Sequence, residues 1–170
     1  MLRVLLPIDD PSKIEGARRY AEMCQRESRW PVKLHVLHVE PPLSRYVASK
    51  LPRSAVSRYH NDHSRQVLEA AAAALVEANI PHKTHMLVGD PVKSIVQFAA
   101  EASVDRIVLV TRARESLPGV LLGSVTAGVL RRSTVPVEVV PIEPESRLRV
   151  YARAAGAGAT ILTLVYLALD

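Results

Sequence analysis

Two short stretches hold the residues best suited to chemistry, Asp9-Asp10-Pro11-Ser12 and Gly123-Ser124-Val125. The second stands where a helix begins, so free backbone N–H groups and the positive end of the helix dipole can hold an anionic oxygen there. Gly123 lets the backbone approach a ligand closely, and Ser124 can cap the helix or reach the ligand itself. Asp9 and Asp10 form an acidic pair after an apolar run, a placement that suits capping the next helix or contacting a ligand more than metal or acid–base work. His60 and His63, three residues apart with Asp62 between them, would share one edge of a helix and could begin a metal site. No further ligand set has recognisable spacing, so they read as solvent-facing histidines. His38 reads as buried or half-buried in a strand, while His35, His82 and His85 show no partner pattern.

Other motifs narrow the chemistry. Gly89-Asp-Pro-Val-Lys-Ser94 lacks the second glycine and the spacing of a phosphate-cradling P-loop, and no G-x-S-x-G occurs. Cys24 has no nucleophile motif around it and shares a helix face with Ile14, Ala17 and Ala21, which makes it a buried core thiol. An enzyme is not indicated.

The elements that must position these residues follow from apolar patterning. Leu2 to Ile8 reads as a buried strand, with a helix from the Asp-Asp-Pro-Ser turn to about Glu27. Val32 to Val39 is a second strand, stopped by Glu40-Pro41-Pro42. Leu43 to about Arg53 has no period, and Ala55 to Ala78 reads as a long helix ended by Asn79 and Pro81. Lys83 to Val88 is a third strand, Pro91 opens a helix over Val92 to Ala102, and Asp105 to Thr111 is a fourth strand. A helix from Ser124 to Arg132 and a strand from Val135 to Val140 complete the order. Alternating strands and helices imply a five-stranded open parallel sheet with helices on both faces and right-handed crossovers. Ligands in such sheets bind beyond the carboxyl ends of the strands, so the loops after the first and fourth strands should face each other.

Composition agrees. A chain of 170 residues with 48% apolar and 23% charged residues fits one α/β domain, here 1–142, followed by a linker and an apolar helical tail over 143–170. The formal charge of +5 is spread along the chain and aromatics are 4%, so no nucleic-acid partner is expected. One cysteine and a start without signal-peptide features point to the cytoplasm.

Several segments resemble the universal stress protein family over Leu2 to Ile142. Val4-Leu-Leu-Pro-Ile-Asp9, Leu37-His-Val39 and Val88-Gly-Asp-Pro91 look like its first three strand signatures. The strongest piece is Leu121-Leu-Gly-Ser-Val-Thr126, with Val129-Leu130-Arg131 and Val135-Pro-Val137 after it. The resemblance implies a Rossmann-like fold of the adenine nucleotide alpha hydrolase type. It also implies an adenine-nucleotide pocket at Asp9, Val39, Val110, Ala113, Gly123, Ser124 and Val125. ATP or AMP would be the ligand, with Mg²⁺ if ATP binds.

Nucleotide-binding members carry Gly-x-x-Gly, nine residues, then Gly-Ser or Gly-Thr. Counting back from Gly123 puts Val110 and Ala113 at the two earlier glycines. A branched side chain resists positive φ and fills space that glycine leaves to the ligand. ATP binding is therefore expected to be weak or absent. Arg112 and Arg114 could compensate with charge, or be solvated surface. The expected function is a non-catalytic stress-response or signalling module acting through dimerisation and partner contact. The alternative is an adenine-nucleotide sensor with an altered phosphate loop.

Two further surfaces are implied. The apolar strand Val135 to Pro141 should be an edge, and pairing across it would make a homodimer of the kind common in the family, although Pro136 and Pro141 limit the paired length. The uncharged run Ala154 to Leu169 follows Arg147, Arg149 and Arg153. It could pack on a protein partner or oligomer, or dock peripherally on an anionic membrane surface.

Overall fold

The computed structural model describes residues 1–112 and 123–142. Ala113, the loop to Leu122 and the tail expected over Ala154 to Leu169 lie outside the described residues.

Five parallel strands, β1 (Leu2–Pro7), β2 (Val32–Glu40), β3 (His82–Val88), β4 (Arg106–Arg112) and β5 (Val137–Ile142), form one sheet in the order β3-β2-β1-β4-β5. Successive side chains of a strand point to opposite faces of the sheet, and the three central strands β1, β2 and β4 bury residues on both faces. Val4 and Leu6 of β1 pack with Val36 of β2 against α1 (Ile14–Glu27) and α3 (Arg53–Glu77). Leu5 and Leu37 point the other way, toward α4 (Pro91–Glu101) and α5 (Ser124–Arg132). The sheet thus has helices on both faces. Among the described residues no helix is long and apolar enough to cross a membrane.

Local chemistry sets the helix ends. The Asp10 carboxylate accepts the Ser12 N–H at 2.7 Å and opens a 3₁₀ turn, Pro11–Lys13, that leads into α1. Asp90 accepts the Lys93 N–H at 2.8 Å and Pro91 takes the first turn of α4, where its missing N–H costs nothing. After α3, Asn79 turns left-handed at φ 54°, and the Ile80 N–H reaches back to the Leu75 carbonyl at 2.9 Å.

Three boundaries differ from expectation. Arg45–Lys50, within the stretch without a period, is a six-residue helix, α2, capped by Ser44 accepting from the Val47 N–H. Ser133 both donates to the Val135 carbonyl and accepts the Val135 N–H, which holds Val135 in a turn and delays β5 to Val137. Gly123, not Ser124, is the N-cap of α5, and Ser124 is its first helical residue.

The strand order reverses between β1, which continues to β2, and its other neighbour β4. That switch point leaves a crevice at the strands' carboxyl ends, where the first and fourth βα loops diverge.

Candidate functional site

A cavity of about 310 Å³ occupies that crevice. One wall comes from β1, β4 and α5. Pro7, Ile8 and Asp9 leave β1, Leu109 and Val110 leave β4, and Val125 and Thr126 lie in the first turn of α5. Asp9 is ion-paired to Lys13 at 2.6 Å, so the mouth holds a carboxylate and an ammonium together. Val39 lines the opposite side with Leu37, His38, Glu40, Pro41 and His63.

Of the expected pocket residues, Asp9, Val39, Val110 and Val125 meet in this one cavity. Gly123 and Ser124 immediately precede Val125 and are exposed at the start of α5, outside the lining set. Among the described residues a Cβ on Gly123 would meet nothing within 4 Å and its φ is −59°, so neither packing against those residues nor backbone strain requires glycine there. Val110 is a buried strand residue paired in register with Val140. The first glycine position of the expected loop therefore lies inside β4 and presents a branched side chain to the cavity.

The second wall carries a cluster that sequence reasoning only half found. His38 and Glu40 are two apart on β2 and share the face toward α3, where His60 and His63 are three apart. Glu40 is 5% exposed and its Oε2 lies 3.0 Å from His38 Nε2 and 2.8 Å from His63 Nδ1. His38 Nδ1 lies 2.8 Å from the Ile8 carbonyl, which only accepts, so Nδ1 carries a proton and Nε2 faces Glu40. His60 Nδ1 stands 3.9 Å from Glu40 Oε1. Burial alone would raise the Glu40 pKa; the hydrogen bonds from His38 and His63 and their charge outweigh it and hold the carboxyl below its ordinary value.

His60 is thus buried rather than solvent-facing. Together with Ser64, Val67, Ala71 and Leu75 it forms the buried stripe of α3, and extending that spacing backward from Leu75 would have placed it inside. Asp62 is exposed and takes no part in the cluster. The expectation that His35 and His85 lack partners also fails. They are diagonal neighbours on β2 and β3, His35 standing opposite Lys83 and His85 opposite Leu37; their rings stack at 5.2 Å between centroids, and His35 Nδ1 lies 3.1 Å from His85 Nε2.

An open parallel sheet with a ligand-sized crevice at its switch point defines the Rossmann-like class of pocket-bearing α/β proteins. Within that class, the universal stress protein family model matches residues 1–141, and the chain belongs to this family of stress-response proteins. The universal stress protein MJ0577 of Methanocaldococcus jannaschii is 26% identical over 151 residues, covering 81% of this chain and 93% of the relative. A solved structure of MJ0577 superposes with a TM-score of 0.66, covering 85% of this chain and 98% of that one. The universal stress protein from Archaeoglobus fulgidus in complex with dAMP is 19% identical, with a TM-score of 0.59 over 82% of this chain and 98% of the other. A universal stress protein in complex with cAMP is 24% identical, also at a TM-score of 0.59, over 82% and 96%.

Proposed function

We propose that the protein is a non-catalytic stress-response module whose crevice takes an adenine mononucleotide of the AMP type and binds ATP weakly. The supporting observation is the single cavity into which Asp9, Val39, Val110 and Val125 converge. At about 310 Å³ it stands at the low end of small-ligand pockets, nearer to a nucleoside with one phosphate than to a triphosphate. Related folds holding dAMP and cAMP favour the same ligand class.

Val110 is the reason for the weak ATP reading. Its side chain stands where a glycine would leave room for a triphosphate to press on the backbone. The first turn of α5 still offers N–H groups beside the cavity for a single phosphate. No Mg²⁺ requirement attaches to an AMP-type ligand. Dimerisation is part of the proposal: among the described residues β5 is an edge strand with one side unpaired, and a second β5 could extend the sheet. Partner contact by the tail, whether to protein or to an anionic membrane surface, and a cytoplasmic location complete the reading of a signalling module.

Isothermal titration of the full chain with AMP, cAMP and Mg²⁺-ATP tests the ligand. AMP should bind at least about tenfold more tightly than ATP, and Val110→Gly with Ala113→Gly should raise ATP affinity. Tighter ATP than AMP in the natural sequence would instead favour the nucleotide-sensor alternative. Light scattering on the full chain reads the dimer, and Val139→Lys in β5 should shift it toward monomer.

A further inference from the structure

The geometry points to a divalent metal site of the zinc type on the α3 wall of the crevice, with His38, Glu40 and His63 as ligands and His60 as a fourth donor beside them. One donor atom from each of His38, Glu40 and His63 lies within 4.8 Å of the other two, and His38 Nε2 and His63 Nδ1 both face Glu40 Oε2. Zinc holds nitrogen and oxygen donors at about 2.0–2.2 Å, which sets tetrahedral donors roughly 3.4 Å apart. The contacts of 3.0 and 2.8 Å to Glu40 Oε2 need to open by only a few tenths of an ångström. His63, with its side chain half exposed, has the freedom to make that adjustment.

Three features separate this cluster from a structural ion pair. First, the His38 Nδ1–H is committed to the Ile8 carbonyl at 2.8 Å, the outer contact that fixes a metal-binding histidine with its other nitrogen inward. That leaves Nε2 and the carboxylate facing each other, an arrangement that requires a proton or a metal cation between them. Second, His60 is 6% exposed and its Nδ1 has no hydrogen-bond partner among the described residues, although it stands 3.9 Å from Glu40 Oε1. A closed structural network would use that nitrogen. Third, imidazole nitrogens with a single carboxylate suit zinc and its neighbours in the first transition row and not Mg²⁺, which prefers oxygen ligands. The site opens into the cavity through His38, Glu40 and His63, so a fourth or fifth position is accessible to water or ligand.

The inference stands apart from nucleotide binding, because the metal is titrated alone. Untagged full-length chain is stripped with EDTA, dialysed, and titrated with ZnCl₂ by calorimetry and with CoCl₂ by visible absorption. One zinc per chain is expected, with the intense d–d bands of four-coordinate cobalt. His63→Ala should weaken zinc about 100-fold and His60→Ala about tenfold, with circular dichroism unchanged. Glu40→Gln, which keeps the side-chain shape, should abolish the cobalt bands. His85→Ala, in the stacked pair on the other face of the sheet, should bind zinc as the natural chain does. No zinc binding at tens of micromolar protein, natural affinity in His63→Ala, or equal loss in His85→Ala would each overturn the assignment.

Discussion

β2 carries a histidine toward each side of the sheet, and the two are used in opposite ways. His38 faces α3 beside the buried carboxylate of Glu40, with His63 completing a polar cluster at the crevice. His35 faces α4, where its ring stacks on His85 at 5.2 Å and both lie against Phe98, 4.6 Å from His85. Among the described residues no acidic side chain bonds to that pair; burial and then the charges of Lys33 and Lys83 are the leading influences on His35, and together they lower its pKa. Burial, His35 and the same two lysines lower that of His85. The pair is therefore held as neutral aromatic surface, whereas the α3 cluster is built around an anion. The residue type is common to both, and the neighbours decide whether it packs or binds.

Removing the anion should break this contrast most severely. Glu40→Ala leaves His38 and His63 turned toward a buried space without a carboxylate, and loss of one partner from a buried pair costs about 3–5 kcal/mol. Urea unfolding of EDTA-treated protein at neutral pH measures it, and a loss below about 1 kcal/mol would show that the cluster is not the anchor its burial suggests. His85→Ala should cost less, about 1–1.5 kcal/mol, because it removes ring contacts and no charge.

The two clusters should also respond to acid in different windows. His35 and His85 have folded pKa values below the ordinary 6.5, so the unfolded chain binds more protons in that range. Their contribution is intact above about pH 6.5 and is lost as pH falls through the lowered values. Glu40 is also lowered, from an ordinary 4.5, so its contribution is intact above that pH and declines only as acid passes below it. Unfolding free energy measured from pH 8 to pH 3 should therefore fall in two stages. The double substitution His35→Phe, His85→Phe should flatten the upper stage and leave the lower one. A profile that keeps its fall near pH 6 in the double variant would assign that step to other histidines.

The difference between the two faces also explains what the sequence could and could not reveal. Alternation of strands and helices was legible because Pro41-Pro42, Asn79 and Asp90-Pro91 punctuate apolar runs, and each marks a boundary in the structure. The six residues of α2 were too few to show a period, although Ser44 was a cap in waiting. In the crevice, Asp9, Val39, Val110 and Val125 were readable through family signatures tied to strand ends. The α3 cluster was not, because its halves lie 23 residues apart between Glu40 and His63 and neither contains a complete ligand motif. Only the packing of α3 on β2 brings i, i+2 of a strand against i, i+3 of a helix. The His35 and His85 pair was hidden for the same reason, being set by the register of β3 on β2 at a separation of 50 residues.

The smallest expected effect is the most discriminating between the faces. Among the described residues, the two buried side-chain polar atoms without a hydrogen-bond partner, His60 Nδ1 and Ser64 Oγ, both belong to α3. Ser64 is 0% exposed, and an unsatisfied buried hydroxyl is a cost that alanine removes while improving helix propensity by about 0.5 kcal/mol. Ser64→Ala should therefore stabilise the protein by up to about 1 kcal/mol in urea unfolding. If the hydroxyl instead belongs to the polar network around Glu40, the same change will destabilise, and the α3 face will prove more completely wired than its direct hydrogen bonds indicate. The sign of one alanine substitution thus distinguishes a cluster of four side chains from one that extends a further turn along the helix.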